Sequence, residues 1–502
     1  MVLNLNLSTA SCVAGVLPAL PADPADIVAA NNQVDATATL IDGSVLHQID
    51  PAAQVVRNFE YLGYMRSDGK VLNAGESVAD AVYYCDFPGE RAFTKISIEV
   101  NGNPLDEYYT FSYVFSRQFE LKADKKEGYY RNVGQELPLE AKSVNVGDGL
   151  RFGGSMFDGP QTPATVQPAL QIWQKLMFWF NKDASNSLPS AAIPYGQRYI
   201  RVQLAQAAAL VFRSSVVYNV LKTTNKYVPN TVFTLQPDGR YDLSGGLVVR
   251  NTWYEYNYLP VYTNGTLNYP TVTSISLYAN NIFAHPAVHD IYIKKIGFTL
   301  VRVHRYQQVT INQSNPSTLM NQFKFPCEYI YLGVLPEQNT SGIWQATDWH
   351  RFGLFTHKYT KNGVHLDPAS SKLFDNNTFH YVDKARTIDQ LEVAAHGVNL
   401  YQKLDAQFYS QYVPQAFGEH TLVTPNDDGA LMVNFALFPR VYQPSGHLNV
   451  SRAREFYLNV YSSVIGVPNA NGALQSGQLI AEACAINFLL VSDGSAIMRY
   501  ST

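Results

Sequence analysis

The stretch AFTKISIEVNGNPLDEYY, residues 92–109, reads as a strand, a tight reversal and a second strand. Ile96, Ile98 and Val100 alternate with Lys95, Ser97 and Glu99, the period of two expected of a half-buried strand. Asn101 and Gly102 follow at once. Both residue types tolerate the positive φ that a two-residue hairpin turn needs at its central positions. The same grammar recurs along the chain. In YIRVQLA (199–205) Ile200, Val202 and Leu204 share a face, and in KKIGFTLVRVH (294–304) Ile296, Phe298 and Leu300 alternate with Gly297, Thr299 and Val301. ALMVNFALF (430–438) and CAINFLLV (484–491) are apolar on both faces, which predicts central strands covered on each side. Asp493 and Gly494 form the turn that reverses the second of these into SAIMRYST. LQIWQKLMFW (170–179) reads as strand from its aromatics, and AQAAALVFRSS (205–215) is a short helix candidate.

Connectors rich in Pro, Gly and Asn separate these runs, and no strand–helix–strand rhythm appears. The pattern predicts an all-β chain of sandwiches or jelly rolls rather than a doubly wound or barrel enzyme. The segment ISLYANNIFAHPAVHDIYIKK (275–295) places a hinge between two β domains near residue 285. His285 and His289 stand four apart, but Pro286 between them opposes a regular helix, so a capped turn is expected rather than a metal pair. Residues 1–56 contain no Lys or Arg and read as a variable loop or loosely held leader.

Composition narrows the function. Among 502 residues, 46% are apolar, 13% aromatic and only 16% charged, with 33 Tyr and 26 Phe. Aromatic wealth with sparse charge favours sheets and extensive protein contact surface. A net charge of −4 without a basic block argues against direct nucleic-acid binding. The four cysteines (Cys12, Cys85, Cys327, Cys484) are widely spaced and read as buried thiols. No apolar run is long enough for a spanning helix, and the start lacks the basic region of a secretory signal.

Catalytic templates do not match. HExxH, GxSxG, GxxxxGK[ST] and a GxGxxG after a strand are all missing from the sequence. Asp106-Glu107 and Asp427-Asp428 read as turn residues, and His350 as a stacking or turn residue beside Trp349. Neither a cofactor, a metal nor a catalytic residue is expected. The densest polar segment is YQPSGHLNVSRAREFYLNV (442–460). Gly446 supplies a turn and His447 is expected to bond to turn backbone. Phe456, Leu458 and Val460 have core parity. Arg452 and Arg454 share it, which puts them at the sandwich rim, where they serve as an inter-loop or inter-subunit clamp or as solvated charges paired with Glu455.

These segments, together with YYCDFPGERAFTKISIEVNGNPLDEY (83–108), IFAHPAVHDIYIKKIGFTLVRVHR (282–305) and TPNDDGALMVNFALFPRVYQPSGHLNVSRAREFYL (424–458), resemble the major capsid proteins of African swine fever virus and related large DNA viruses of amoebae. The likeness runs, with interruptions, from about residue 83 to the end. It implies a double jelly roll: 1–82 a weakly matching N-terminal segment, 83–285 the remainder of the first roll, 286–502 the second. It further implies a homotrimeric, pseudo-hexagonal capsomer of an icosahedral capsid. The partners implied are neighbouring capsomers, penton and minor capsid proteins and a nearby inner membrane that is not spanned, with assembly in the host cytoplasm. The segment before Tyr83 departs from the family. Either it is trimmed, or the chain begins at an internal Met of a longer product and an edge strand is left uncovered. The competing readings are a minor capsid or scaffold protein of the same fold, and a carbohydrate-binding or carbohydrate-active jelly-roll protein.

Overall fold

The computed structural model describes residues 1–20, 33–34, 54–66, 69–135, 143–146, 149–152, 160–182, 186–193, 197–228, 234–242, 248–283, 285–294, 297–361, 364–366, 378–418, 421–451, 455–468, 474–492 and 495–500. In chain order, the first half contributes β1 (Val2–Leu7), β2 (Phe93–Val100), β3 (Asn103–Tyr109), helix α1 (Thr110–Phe119), β4 (Leu170–Lys175), β5 (Arg198–Leu204) and β6 (Val272–Tyr278). Helix α2 (Pro286–Lys294) follows. The second half contributes β7 (Gly297–Ile311), β8 (Ser317–Leu319), β9 (Pro326–Pro336), β10 (Gln390–Ala395), β11 (Val398–Asp405), helix α3 (Val413–Gly418), β12 (Leu431–Asn434), β13 (Phe456–Tyr461), β14 (Gly477–Ser492) and β15 (Ser495–Met498).

Strand order makes the second half a jelly roll. One sheet runs β7-β14-β9-β12 and the other β8-β13-β10-β11, all antiparallel. Counted from β7, these are strands one, eight, three, six against two, seven, four, five: two interlocked Greek keys. Ile330, Leu332, Val334, Leu479 and Ala481 point inward and meet Leu391, Val393, Leu458 and Val460 of the facing sheet. The first half repeats this order from the third position onward. Its sheets run β6-β1-β4 and β5-β2-β3, which correspond to eight, three, six and seven, four, five. A further sheet built from Gln54–Arg66, Val217–Val228 and Thr252–Val261 is inserted between these strands.

The expected hairpin is present: Val100 pairs with Asn103 across Asn101 and Gly102, whose φ values are 52° and 80°. Its counterpart in the second half joins β10 to β11 through His396 and Gly397, at 56° and 75°. Each hairpin is followed by helix, α1 in one half and the π-turn Phe408–Tyr412 with α3 in the other. LQIWQK is strand as read, and β14 is central and covered on both faces.

Several expectations need correction. Residues 2–7 are not a loose leader: β1 is the middle strand of its sheet, with Leu3, Leu5 and Leu7 buried. Pro286 does not prevent a helix; it starts one, because the first helical position has no intrahelical partner for its missing N–H. His285 caps it, its Nδ1 accepting from Ala287 N at 3.3 Å. In β7 the buried parity is that of Val301 and Val303, while Phe298 is exposed. β12 is buried on both faces but ends its sheet instead of centring it. AQAAALVFRSS gives only a short 3-10 turn at 207–209 before a strand. Asp106 and Glu107 lie in β3, not in a turn.

Candidate assembly surface and the seam between the sandwiches

In the sheet β7-β14-β9-β12, Leu332, Val334, Leu479 and Ala481 line the core of its own sandwich, while Val301, Val303, Tyr329, Tyr331, Ile480 and Leu489 belong to the core of the first half. Helix α1 is the wedge between them. Phe115 stacks on Phe352 at 5.0 Å and Phe119 on Tyr331 at 4.6 Å, with interplanar angles of 8° and 4°. Gln118 Oε1 accepts from Asn426 N at 3.0 Å and Asp427 N at 3.2 Å, and the Phe119 carbonyl accepts from Val423 N at 2.7 Å. Seven of its ten residues are buried, and three of those, Ser112, Arg117 and Gln118, are polar, so the apolar pattern in the sequence does not mark which residues the helix buries.

Charges cross the same seam. Asp106 on β3 accepts from His304 N at 2.9 Å, and its other oxygen lies 2.9 Å from His304 Nδ1. The far side of that ring faces Glu482 at 3.9 Å. Burial raises the Glu482 carboxyl, against the pull of His304. Glu120, at the end of α1, pairs with Arg440 at 3.0 Å and accepts from Ser116 Oγ at 2.9 Å. Burial alone would raise this carboxyl, but Arg440 and Lys182 overcome it and hold Glu120 at about 2. Arg440 N in turn donates to Glu328, which Arg302 clamps at 2.6 and 3.1 Å. Asp106, Glu120 and Glu328 are matched to donors at the seam, while Glu482 keeps one buried oxygen without a hydrogen-bond partner among the described residues.

The remaining sequence candidates fall elsewhere. Gly446 adopts φ 154°, and a Cβ there would lie 3.3 Å from the Phe435 carbonyl. The reversal expected at Pro444–Gly446 is made by Ser445, whose Oγ accepts from Phe438 N at 2.7 Å and donates to Phe438 O at 2.8 Å. His447 is exposed, and among the described residues its ring makes no hydrogen bond. Phe456, Leu458 and Val460 are buried as their parity predicts. The Glu455 carbonyl accepts from His396 N at 3.1 Å. Arg452 and Arg454 lie outside the described residues, as do Asp493 and Gly494; Ser492 pairs with Ser495 on either side of that turn. His350 is buried edge-on against Phe87 at 4.9 Å, a stacking role, and burial with Arg117 and Arg351 nearby depresses its pKa well below the ordinary range.

The comparisons agree with this architecture. A family model described as the large eukaryotic DNA virus major capsid protein matches residues 282–497, and one for the major capsid protein N-terminus matches residues 64–235. The hexon protein p72 of African swine fever virus is 30% identical over an alignment covering 92% of this chain and 77% of that protein. This chain belongs to the large eukaryotic DNA virus major capsid protein family. The solved Faustovirus major capsid protein superposes with a TM-score of 0.73 at 31% identity, over 98% of this chain and 85% of that one. The major capsid protein of Chrysochromulina ericina virus is more distant, 23% identical over 56% of this chain and 44% of its own length. The family is one of structural proteins of the virion, and the fused sandwiches are the form such a capsid protein takes here.

Proposed function

We propose that three copies of this protein close into a pseudo-hexagonal capsomer and that such capsomers pave the facets of an icosahedral shell. The observation that carries this reading is the buried seam. It fixes two similar sandwich blocks against each other, so three chains supply six comparable blocks around a three-fold axis. The boundary between the blocks is placed near residue 285. Interfaces in a permanent shell bury on the order of 2,000–5,000 Å² and spread their energy over many contacts. Arg452 and Arg454, immediately before β13, are proposed to clamp carbonyls or carboxylates of a neighbouring subunit. Penton and minor capsid proteins are the further partners, with an inner membrane close by but not crossed, and assembly takes place in the host cytoplasm. The shell is built without direct contact to nucleic acid, and the protein performs no catalysis.

Capsomers released from purified particles test this reading. Native mass measurement is expected to return three chains, and electron microscopy a hexagonal outline. A released unit of one or two chains would overturn it.

A further inference from the structure

A cleft of about 420 Å³ lies between the two halves of the chain. That volume falls in the range of small-molecule sites, roughly 300–1,000 Å³. Helix α1 contributes Tyr113, Ser116 and Arg117, the end of β4 contributes Gln174 and Lys175, and the second half contributes Thr421 and Arg440. Lys182, which ends the short helix Trp179–Lys182, lines it as well. Arg117, Lys175, Lys182 and Arg440 thus face one carboxylate in the lining, Glu120. Arg117 Nε also donates to Glu90 Oε1 at 2.8 Å. With both carboxylates counted, the cleft keeps a surplus of two positive charges.

The ion pairs of the seam do not absorb that surplus. Arg440 is held by Glu120 at 3.0 Å, whereas Lys175 and Lys182 are exposed and form no salt bridge among the described residues. Arg117 is the decisive group. It is 8% exposed, and its Nη2 has no hydrogen-bond partner among the described residues. Gln174 is 1% exposed, and its Oε1 is likewise unpaired. Buried donors and acceptors are costly to leave unmatched, and here one of each belongs to the lining of the same cleft. Converging positive charge at low-dielectric walls also draws anions to the cleft.

We propose that this cleft binds a phosphate ester of a small molecule, and that the bound ester braces the two sandwiches against each other. A guanidinium with forked donors and two lysine point charges together suit a phosphoryl group. A phosphate monoester carries nearly two negative charges at neutral pH, which matches the surplus; a single carboxylate matches half of it. Leu121, Leu176 and Met177 also line the cleft and give the organic part of the ester an apolar surface that inorganic phosphate would leave uncovered. Gln174 Oε1 supplies an acceptor for a hydroxyl of that part. Because both halves of the chain line the cleft, the ester binds their docked arrangement and stabilises it by mass action. A soluble metabolite and a lipid headgroup share this chemistry.

Calorimetric titration of protein taken from purified particles into phosphate-free buffer tests this. The probes are adenosine monophosphate, glycerol 3-phosphate, dihexanoyl phosphatidic acid, inorganic phosphate and citrate. At least one of the three esters is expected to saturate at one per chain, about tenfold or more tighter than inorganic phosphate or citrate, and to raise the melting temperature as its concentration rises. Tightest binding of the phosphatidic acid assigns the ester to a lipid headgroup, and tightest binding of either of the others to a soluble metabolite. In the full chain, Lys175→Gln with Lys182→Gln changes only exposed positions and should weaken the ester about tenfold. Lys226→Gln, exposed on the inserted sheet, should leave binding unchanged. No saturable ester binding, equal affinity for citrate or inorganic phosphate, or binding indifferent to the lysine pair would each overturn the proposal. Capsomer stoichiometry, measured separately, tests the function proposed above and is indifferent to these outcomes.

Discussion

Removing the Arg440 guanidinium should uncouple the two sandwiches at a calculable cost. A carboxyl held at about 2 in place of its ordinary 4.5 corresponds to about 3 kcal/mol of preference for the charged form of Glu120. Arg440→Met leaves that carboxylate buried without its cation, for which losses of about 3–5 kcal/mol are usual. The expected destabilisation at pH 7 is therefore about 3 kcal/mol, read from urea unfolding with signals from the seam aromatics. Because the folded carboxyl is depressed, its stabilisation is complete above the unfolded value near 4.5 and fades as pH falls towards 2. The cost of Arg440→Met should shrink accordingly in acid. The double variant Glu120→Gln/Arg440→Met, which buries no lone charge, should recover most of the loss. A single variant within about 0.5 kcal/mol of the parent at pH 7, or a cost that does not change with pH, would refute the reasoning.

Phe119→Ala should cost about 3–5 kcal/mol, because it empties a fully buried site stacked on Tyr331, and limited proteolysis should then cut between the sandwiches. Asp86 behaves oppositely to Glu120: burial raises its carboxyl to about 6, so its penalty builds as pH climbs from the ordinary value of 3.8 and is complete above about 6, and Asp86→Asn should raise the melting temperature at pH 7.5 but not at pH 4. Replacing Gly102 with Val, at φ 80°, should cost about 1–2 kcal/mol and slow formation of the β2–β3 hairpin, measured by refolding kinetics. Burial pushes the Cys85 and Cys484 thiols up to about 12, so neither should react with a thiol reagent at pH 8 until the chain unfolds.

Strands that alternate in sequence were legible wherever one face meets a core and the other meets water. Ile96, Ile98 and Val100 satisfy that condition, and so do Phe456, Leu458 and Val460. The rule loses power where burial is double. CAINFLLV and LMVN are both apolar on each face apart from a single Asn, yet only one is central, because nothing local distinguishes a strand covered by a sheet from one covered by a loop. Helix α1 was hidden because its TFSYVFSRQF buries Ser112, Arg117 and Gln118 beside its aromatics, so polarity does not mark a solvent face. β1 carried a signal, VLNLNL, but the Ala- and Pro-rich stretch after it masked a strand whose partners lie far away at 170–175 and 272–278. The charged seam was not legible at all: Asp106 and His304, or Glu120 and Arg440, meet only after both sandwiches have folded. Arg452 and Arg454, read from the sequence as rim residues, fall outside the described residues.

Helix α1 belongs to the first half by sequence and to the second by its stacking partners. On the ribosome it emerges roughly two hundred residues ahead of Tyr331, a wait of about 10–40 s at ordinary elongation rates. Throughout that interval Phe115 and Phe119 have no aromatic platform to rest on. Nascent chains on one polysome would then expose the same greasy helix at the same stage, and the rate of translation itself becomes a determinant of how much subunit is rescued from clumping.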